Sequence, residues 1–363
     1  MSAPVNRPDE PQIAKSAPRR NRRYVHAALC AAFASFCAVL AAAAASSSDA
    51  DSALALRLDY RRPESVPYPD DNGHTAEREL LGRTLFFDPR LSGSGWISCA
   101  SCHNPGLAWS DALPRAIGDG MRHLGRRTPT IVNLAWAPAL FWDGRADSLE
   151  QQALGPIESA GEMNMKLPEL VKRLEGIEGY RSLFARAYPG EAISPATVGK
   201  ALATFERGVV SGDAPFDRWV AGDERAIPAA ARRGFVVFNG KGRCSTCHSG
   251  WRFSDDGFYD IGVKSNDLGR GKMTPDIELS RFAFKTPTLR NVAERAPYLH
   301  DGSAATLESV IELYDRGGLV KRPSLSPDIK PLGLTAAEKK DLVAFLETLT
   351  SLDSEARIPA LPR

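Results

Sequence analysis

Cysteine is scarce in this sequence. Six are present among 363 residues. Cys30 and Cys37 fall in an apolar run near the N terminus, which leaves Cys99, Cys102, Cys244 and Cys247 for the rest of the chain. Four cysteines are too few for a small disulfide-stapled scaffold. Charge of one sign is missing as well: the formal net charge is +2, so no nucleic-acid partner is expected. Alternating strand patterns of useful length are rare, which argues against a sandwich or barrel. Histidine and methionine are also few. Outside the leader and the cysteine motifs, the histidines are His74, His123 and His300, and the internal methionines are Met121, Met163, Met165 and Met273.

What is present begins with a basic stretch, RRNRRY at 19–24, followed by an alanine-rich apolar run from Val25 to about Ala45. This pattern predicts a leader over 1–47, cleaved near Ala43–Ser47 or retained as a membrane anchor. In either case the remainder is exported to the periplasm, since the positive flank stays cytoplasmic. Arg22-Arg23 also permits a twin-arginine reading, although the rest of that motif is poor. The membrane is a partner only if the leader is retained.

All four remaining cysteines belong to C-x-x-C-H, in SCASCH ending at His103 and RCSTCH ending at His248. Two disulfides or a four-cysteine zinc site would use the cysteines but leave the histidine that follows each pair unexplained. Covalent haem accounts for all three residues. Each cysteine forms a thioether with the porphyrin, and the adjacent histidine ligates iron from the proximal face. Two covalently bound c-type haems are therefore expected, one on Cys99, Cys102 and His103, the other on Cys244, Cys247 and His248.

The surroundings repeat loosely: Phe86-Phe87 and Phe235–Phe238 precede the motifs, and Trp109-Ser-Asp and Phe253-Ser-Asp follow them. The pattern predicts a mostly α fold of two cytochrome c-like domains with long irregular loops, over 55–220 and 228–350. Ser194 and Pro195 open a helix whose inner face carries Val198, Leu202, Phe205 and Val209. A connecting region is expected near 211–228. Thr335 and Glu338 form a capping box for a closing helix, 335–350, that could also pack on the first domain.

A haem with two protein ligands carries electrons, whereas one with an open face reacts with peroxide or oxygen. Here the blocks LGRTLFFDPRLSGSGWISCASCH, LGRRTPTIVNLA, FWDGRADSLEQQALGPI, GEM at 161–163, CSTCHSG, FKTPTLRNV, APYLHDGS and LVAFLETLT resemble the bacterial di-haem cytochrome c peroxidase and MauG family. The resemblance runs from about Leu80 to Leu349. It implies that the first haem reacts with peroxide, with Glu162 and Gln152 as base and polar partner. Where the family has a blocking distal histidine, this chain has Asp119; His123, four residues on, is the alternative.

The resemblance also implies a far-side ligand for the second haem on the helix after APYLHDG. The matching residue is Tyr314, as in the tyrosine-ligated MauG-like branch, with Leu307, Val310 and Ile311 helping to form the inward face. Met273 and His300 are the other candidates. An anionic oxygen ligand favours ferric iron, whereas a thioether favours ferrous. Trp142 matches the tryptophan that couples the haems, and Asn133 with the carbonyls of Arg295 and Pro297 matches a calcium site.

Two functions follow from the resemblance. In one, hydrogen peroxide oxidises the paired haems and the stored equivalents oxidise tryptophan or tyrosine on a periplasmic partner protein. In the other, peroxide is reduced to water with electrons from a small c-type cytochrome or cupredoxin. A di-haem electron carrier would require both irons to be six-coordinate. Gly242 stands where MauG carries a tryptophan at its partner interface, and the interval from the second motif to Tyr314 is shorter. Both departures imply a member that stands apart from MauG itself. Trp251 and Trp219 are candidate exit relays.

Overall fold

The computed structural model describes Met1, residues 55–351 and residues 356–363. The leader expected over 1–47, with Cys30 and Cys37, lies outside the described residues. The architecture is mostly helical, and the one sheet among the described residues is a two-stranded antiparallel ribbon.

The first half opens with α1 (Ala76–Phe87), whose N-cap Thr75 accepts from the Arg78 N–H at 3.2 Å. A single turn, α2 (Cys99–Cys102), carries the first cysteine pair. After a long loop come α3 (Leu149–Glu158), α4 (Leu167–Glu175), α5 (Glu178–Ala187) and α6 (Pro195–Arg207). The expected cap of α6 is present, with the Thr197 N–H donating to Ser194 Oγ at 3.2 Å; such a cap contributes about 1 kcal/mol. Helices α1 and α6 cross in backbone contact: a Cβ on Gly82 would lie 1.9 Å from the Ala201 carbonyl oxygen.

The region near 211–228 is not only a connector, because it contains α7 (Pro215–Val220). Phe216 and Trp219 of α7 pack on Phe235, and Phe216 also packs on Phe253 and Phe345. Tyr60, from the start of the described chain, joins the same cluster. These rings lie on both sides of the expected boundary at 220 because the second motif needs an apolar bed larger than its own segment supplies.

The second half continues with α8 (Ala229–Asn239), β1 (Phe258–Tyr259), β2 (Phe284–Lys285), α9 (Leu307–Asp315) and α10 (Ala336–Glu347). The Thr335–Glu338 box opens α10, with the Thr335 N–H donating to Glu338 Oε2 at 2.7 Å and the Glu338 N–H to Thr335 Oγ1 at 3.2 Å. The closing helix packs on α8 and α7. A Cβ on Gly234 would meet the Asp341 carbonyl oxygen at 2.0 Å, and Phe345 packs on Phe235, Phe238 and Phe216.

The two halves repeat at a constant interval along the chain. Asn133 and Asn291 both take left-handed backbone, at φ 63° and 56°. Two tight loops follow, closed by Leu140–Ala146 and Tyr298–Ala304 bridges, with Phe141 and Leu299 again left-handed. Ser148 and Thr306 then cap α3 and α9. The repeat makes equivalent pairs of Arg127 and Lys285, Trp142 and His300, and Pro156 and Tyr314.

Candidate active site

Both C-x-x-C-H motifs face one continuous, largely apolar cavity of about 730 Å³. Its wall includes all four cysteines, His103, His248, Gln152, Glu162, Trp142 and Tyr314. The cysteines are free thiols, and burial pushes them upward, Cys102 and Cys247 to about 11 and Cys244 to about 12. They are therefore neutral, and among the described residues no three His, Cys, Asp or Glu side chains gather as a metal cage. A four-cysteine zinc site finds no support in this arrangement.

The histidines are prepared for axial ligation. His103 Nδ1 lies 3.2 Å from the Trp109 carbonyl oxygen, and His248 Nδ1 lies 2.8 Å from that of Phe253. A carbonyl accepts only from an N–H, so each Nδ1 carries the proton and Nε2 keeps its lone pair. Burial also lowers both imidazoles below the usual histidine range, which favours the neutral ligating form. The left-handed residues Trp109 and Phe253 turn the chain so that these carbonyls meet the rings.

The cavity wall also holds buried cations. Arg127 and Arg295 are 5% exposed and form no ion pair with a carboxylate among the described residues, and Arg127 Nε has no acceptor. Desolvation lowers both guanidiniums, Arg295 to about 9, with the charge of Arg127 adding to the effect. Buried cations of this kind call for anions, and a porphyrin brings carboxylates. The apolar wall, the neutral thiols, the oriented histidines and these cations together fit a covalent haem at each motif.

The two far faces differ. On the first side, Glu162 and Gln152 are half-buried in the cavity wall. Burial raises the Glu162 carboxyl above the usual range, partly offset by the Arg145 charge and a hydrogen bond with Ser159. Asp119 accepts from Asn164 Nδ2 at 3.0 Å and is not part of the cavity wall. His123 is exposed and also outside the wall. Pro156 occupies the position equivalent to Tyr314 and offers no ligating atom.

On the second side, Tyr314 extends from α9 beside Leu307, Val310 and Ile311, all in the cavity wall. Its hydroxyl makes no protein hydrogen bond among the described residues, and burial, then the nearby Cys247 and Cys244, raise its pKa. Only a bound cation would make it ionise near neutral pH. Met273 is 45% exposed and lies off the wall. His300 lines the cavity but stacks on Phe284 at 3.6 Å, with Nε2 3.3 Å from Ser265 Oγ.

Trp142 stands where the halves meet. Its Nε1 donates to the Arg127 carbonyl oxygen at 2.9 Å, and its carbonyl accepts from the Lys285 N–H at 2.8 Å. Trp219 is buried among Phe216 and Phe235, with Nε1 3.1 Å from Glu224. Trp251 is half-buried and meets Trp136 edge to face at 4.7 Å. A Cβ at Gly242 would lie 2.7 Å from the Val237 carbonyl oxygen, so the turn before Cys244 leaves no ready space for a side chain.

Two of the three residues expected around calcium have other partners for the atoms that would bind it. Asn133 Oδ1 accepts from the Ser211 N–H at 3.0 Å, the Arg295 carbonyl oxygen accepts from Arg127 Nη2, and Pro297 follows a cis Ala296–Pro297 peptide. Water can complete the six to eight oxygen ligands of calcium, but an ion here would have to take the Arg295 carbonyl from Arg127, so the set as it stands does not fit calcium. Sequence reasoning did not find Arg127. Its only signal was equivalence to Lys285 in the repeated x-T-P-T segment.

Two unlike seats for covalent haem on one cavity define a di-haem c-type oxidoreductase. The chain belongs to the di-haem cytochrome c peroxidase and MauG family, whose members are peroxide-dependent enzymes. The family model for di-haem cytochrome c peroxidase matches residues 76–225. The chain is 54% identical to methylamine utilization protein MauG of Methylorubrum extorquens, over 90% of this chain and 93% of that one. It is 48% identical to the protein of the same name from Methylophilus methylotrophus, over 85% and 93%. A crystallised MauG-like protein associated with microbial copper homeostasis superposes with a TM-score of 0.73, at 34% identity, over 82% of this chain and 97% of that one. The expectation that Gly242 and the shorter interval set this chain apart from MauG is corrected by the first of these likenesses.

Proposed function

We propose that this protein is a MauG-like enzyme in which peroxide reacts at the first haem, held by Cys99, Cys102 and His103. The second haem would be held by His248 and Tyr314. The observation that carries this reading is the inequality of two equivalent positions: Pro156 on α3 offers no ligand where Tyr314 on α9 offers a phenol. When bound, the haems supply peroxide activation and storage of oxidising equivalents.

The chain's own residues supply the rest. Glu162 accepts a proton from peroxide and returns it to the departing oxygen, and Gln152 orients the reactant. Trp142 couples the two haems, a reading supported by its place in the shared cavity wall and its bonds to Arg127 and Lys285. The haem halves divide near 211–228, with α7 joining the second half. The protein acts in the periplasm. No helix among the described residues is long and apolar enough to cross a membrane.

The substrate is a partner protein oxidised at tryptophan or tyrosine, and the names of the two relatives favour a partner used in methylamine utilization. The family's peroxidase members keep a second reading in play, peroxide reduction fed by a small electron carrier. One experiment separates the two: stoichiometric hydrogen peroxide is added to the diferric protein and both haem spectra are followed. Immediate change at both haems without prior reduction supports the MauG-like reading. No reaction until one haem is reduced, then rapid turnover with ferrous cytochrome c, sinks it.

A further inference from the structure

The mismatch at the expected calcium site has a consistent alternative in the side chains. Asn133 is already engaged: Oδ1 accepts from the Ser211 N–H at 3.0 Å, and Nδ2 donates to Ser211 Oγ at 3.0 Å. Its equivalent, Asn291, is likewise engaged with a serine in the other half, its Oδ1 accepting from both the Ser351 N–H and Ser351 Oγ at 3.0 Å. An asparagine used twice in this way is a repeated element that closes each half of the fold.

The Arg295 carbonyl is also engaged. Arg127 Nη2 donates to it across the two halves and reaches Ser110 Oγ at 3.2 Å. The same residue joins the halves through its backbone: its N–H donates to the His300 carbonyl at 2.8 Å, and its carbonyl accepts the Trp142 indole N–H at 2.9 Å. The Arg295 guanidinium lies close by, donating to the Thr288 carbonyl at 2.6 Å. Asp111, whose charge acts on Arg127, is held by Thr128 Oγ1 at 2.6 Å. A divalent ion at the Arg295 carbonyl would have to displace the Arg127 guanidinium that already binds it.

We propose that the guanidinium of Arg127 takes the place of calcium in this protein: it is the cation that binds the Arg295 carbonyl and joins the halves, while the backbone carbonyl of the same residue holds the Trp142 indole. The haem pair is then coupled without a divalent ion. This proposal rests on the two-haem reading, and its test keeps the two apart.

The haem-loaded protein is dialysed against CaCl2, then against calcium-free buffer, and its iron and calcium are measured per chain. Absorption and electron paramagnetic resonance spectra are recorded with EGTA and with added CaCl2. The expected result is two irons per chain, calcium far below one, and spectra and melting temperature indifferent to EGTA and CaCl2. One retained calcium per chain, or spectra that change with EGTA and recover with CaCl2, overturns the proposal. Fewer than two irons per chain would instead overturn the reading beneath it. Arg127→Gln is expected to lower the melting temperature and alter the spectra, with or without CaCl2. A variant identical to the parent in both overturns the role given to the guanidinium, and the measurement on the parent protein decides even if the variant fails to mature.

Discussion

The indole Nε1 of Trp142 donates to the carbonyl oxygen of Arg127 at 2.9 Å, so the ring is held by the first half while its own carbonyl is held by Lys285 of the second. Trp142→Phe keeps an aromatic ring but removes the donor, leaving a buried carbonyl unpaired at a cost of about 1–3 kcal/mol. Haem attachment should survive, since neither motif is touched. After one equivalent of peroxide, the spectrum of the second haem should change much less than in the parent. Equal changes at both haems would show that coupling does not pass through this residue.

Replacement of Tyr314 tests the asymmetry of the pair. Tyr314→His exchanges an anionic oxygen for a neutral nitrogen, which removes the preference for ferric iron. The spectrum of the second haem should shift and its reduction potential should rise, with the first haem nearly unchanged. An unaltered second haem would exclude Tyr314 as its ligand.

Glu162 sets a pH dependence whose sign follows from burial. A proton acceptor must be ionised, and desolvation raises this carboxyl above the usual glutamate range. Reactivity toward peroxide should therefore decline as pH falls through that raised value, earlier than an exposed glutamate would dictate. Glu162→Gln should slow the reaction of the first haem with peroxide by roughly 10²–10⁴-fold and abolish this acid limb. Stopped-flow rates across pH would reveal both effects, and a Gln variant with the parental rate and limb would remove Glu162 from the chemistry.

The parts of the site that were legible in the sequence are those whose chemistry is local. Each C-x-x-C-H is read within five positions, and the caps at Ser194 and Thr335 within four, because the partners are covalent or helical neighbours. The inequality of the two far sides was less legible. It depends on His123 being exposed and on Pro156 standing at the tyrosine position, which the repeat of the fold makes plain. Arg127 and the Arg295 carbonyl are 168 residues apart, and no periodicity in either segment announces their meeting. The helix α7 was hidden for a related reason: its turn-rich flanks read as a linker, while Phe216 and Trp219 become core only against rings from distant segments.

Backbone contact between helices gives the last prediction. Gly234 on α8 lies against α10, where a Cβ would come within 2.0 Å of the Asp341 carbonyl oxygen and 2.7 Å of Phe345 Cβ. Neither neighbour is the free end of a flexible side chain, so Gly234→Ala must push the helices apart. Separation opens the cluster of Phe216, Phe235, Phe238 and Phe345 that supports the second motif. Overpacking of this kind costs about 1–3 kcal/mol, more than the helix propensity gained by replacing glycine, about 1 kcal/mol. The variant should melt at lower temperature and disturb the second haem more than the first. Gly82→Ala should do the reverse, since its Cβ would strike the Ala201 carbonyl oxygen where α1 crosses α6. Melting curves with haem spectra recorded for both variants would check the pair, and equal disturbance of both haems by either change would contradict the assignment of one crossing to each half.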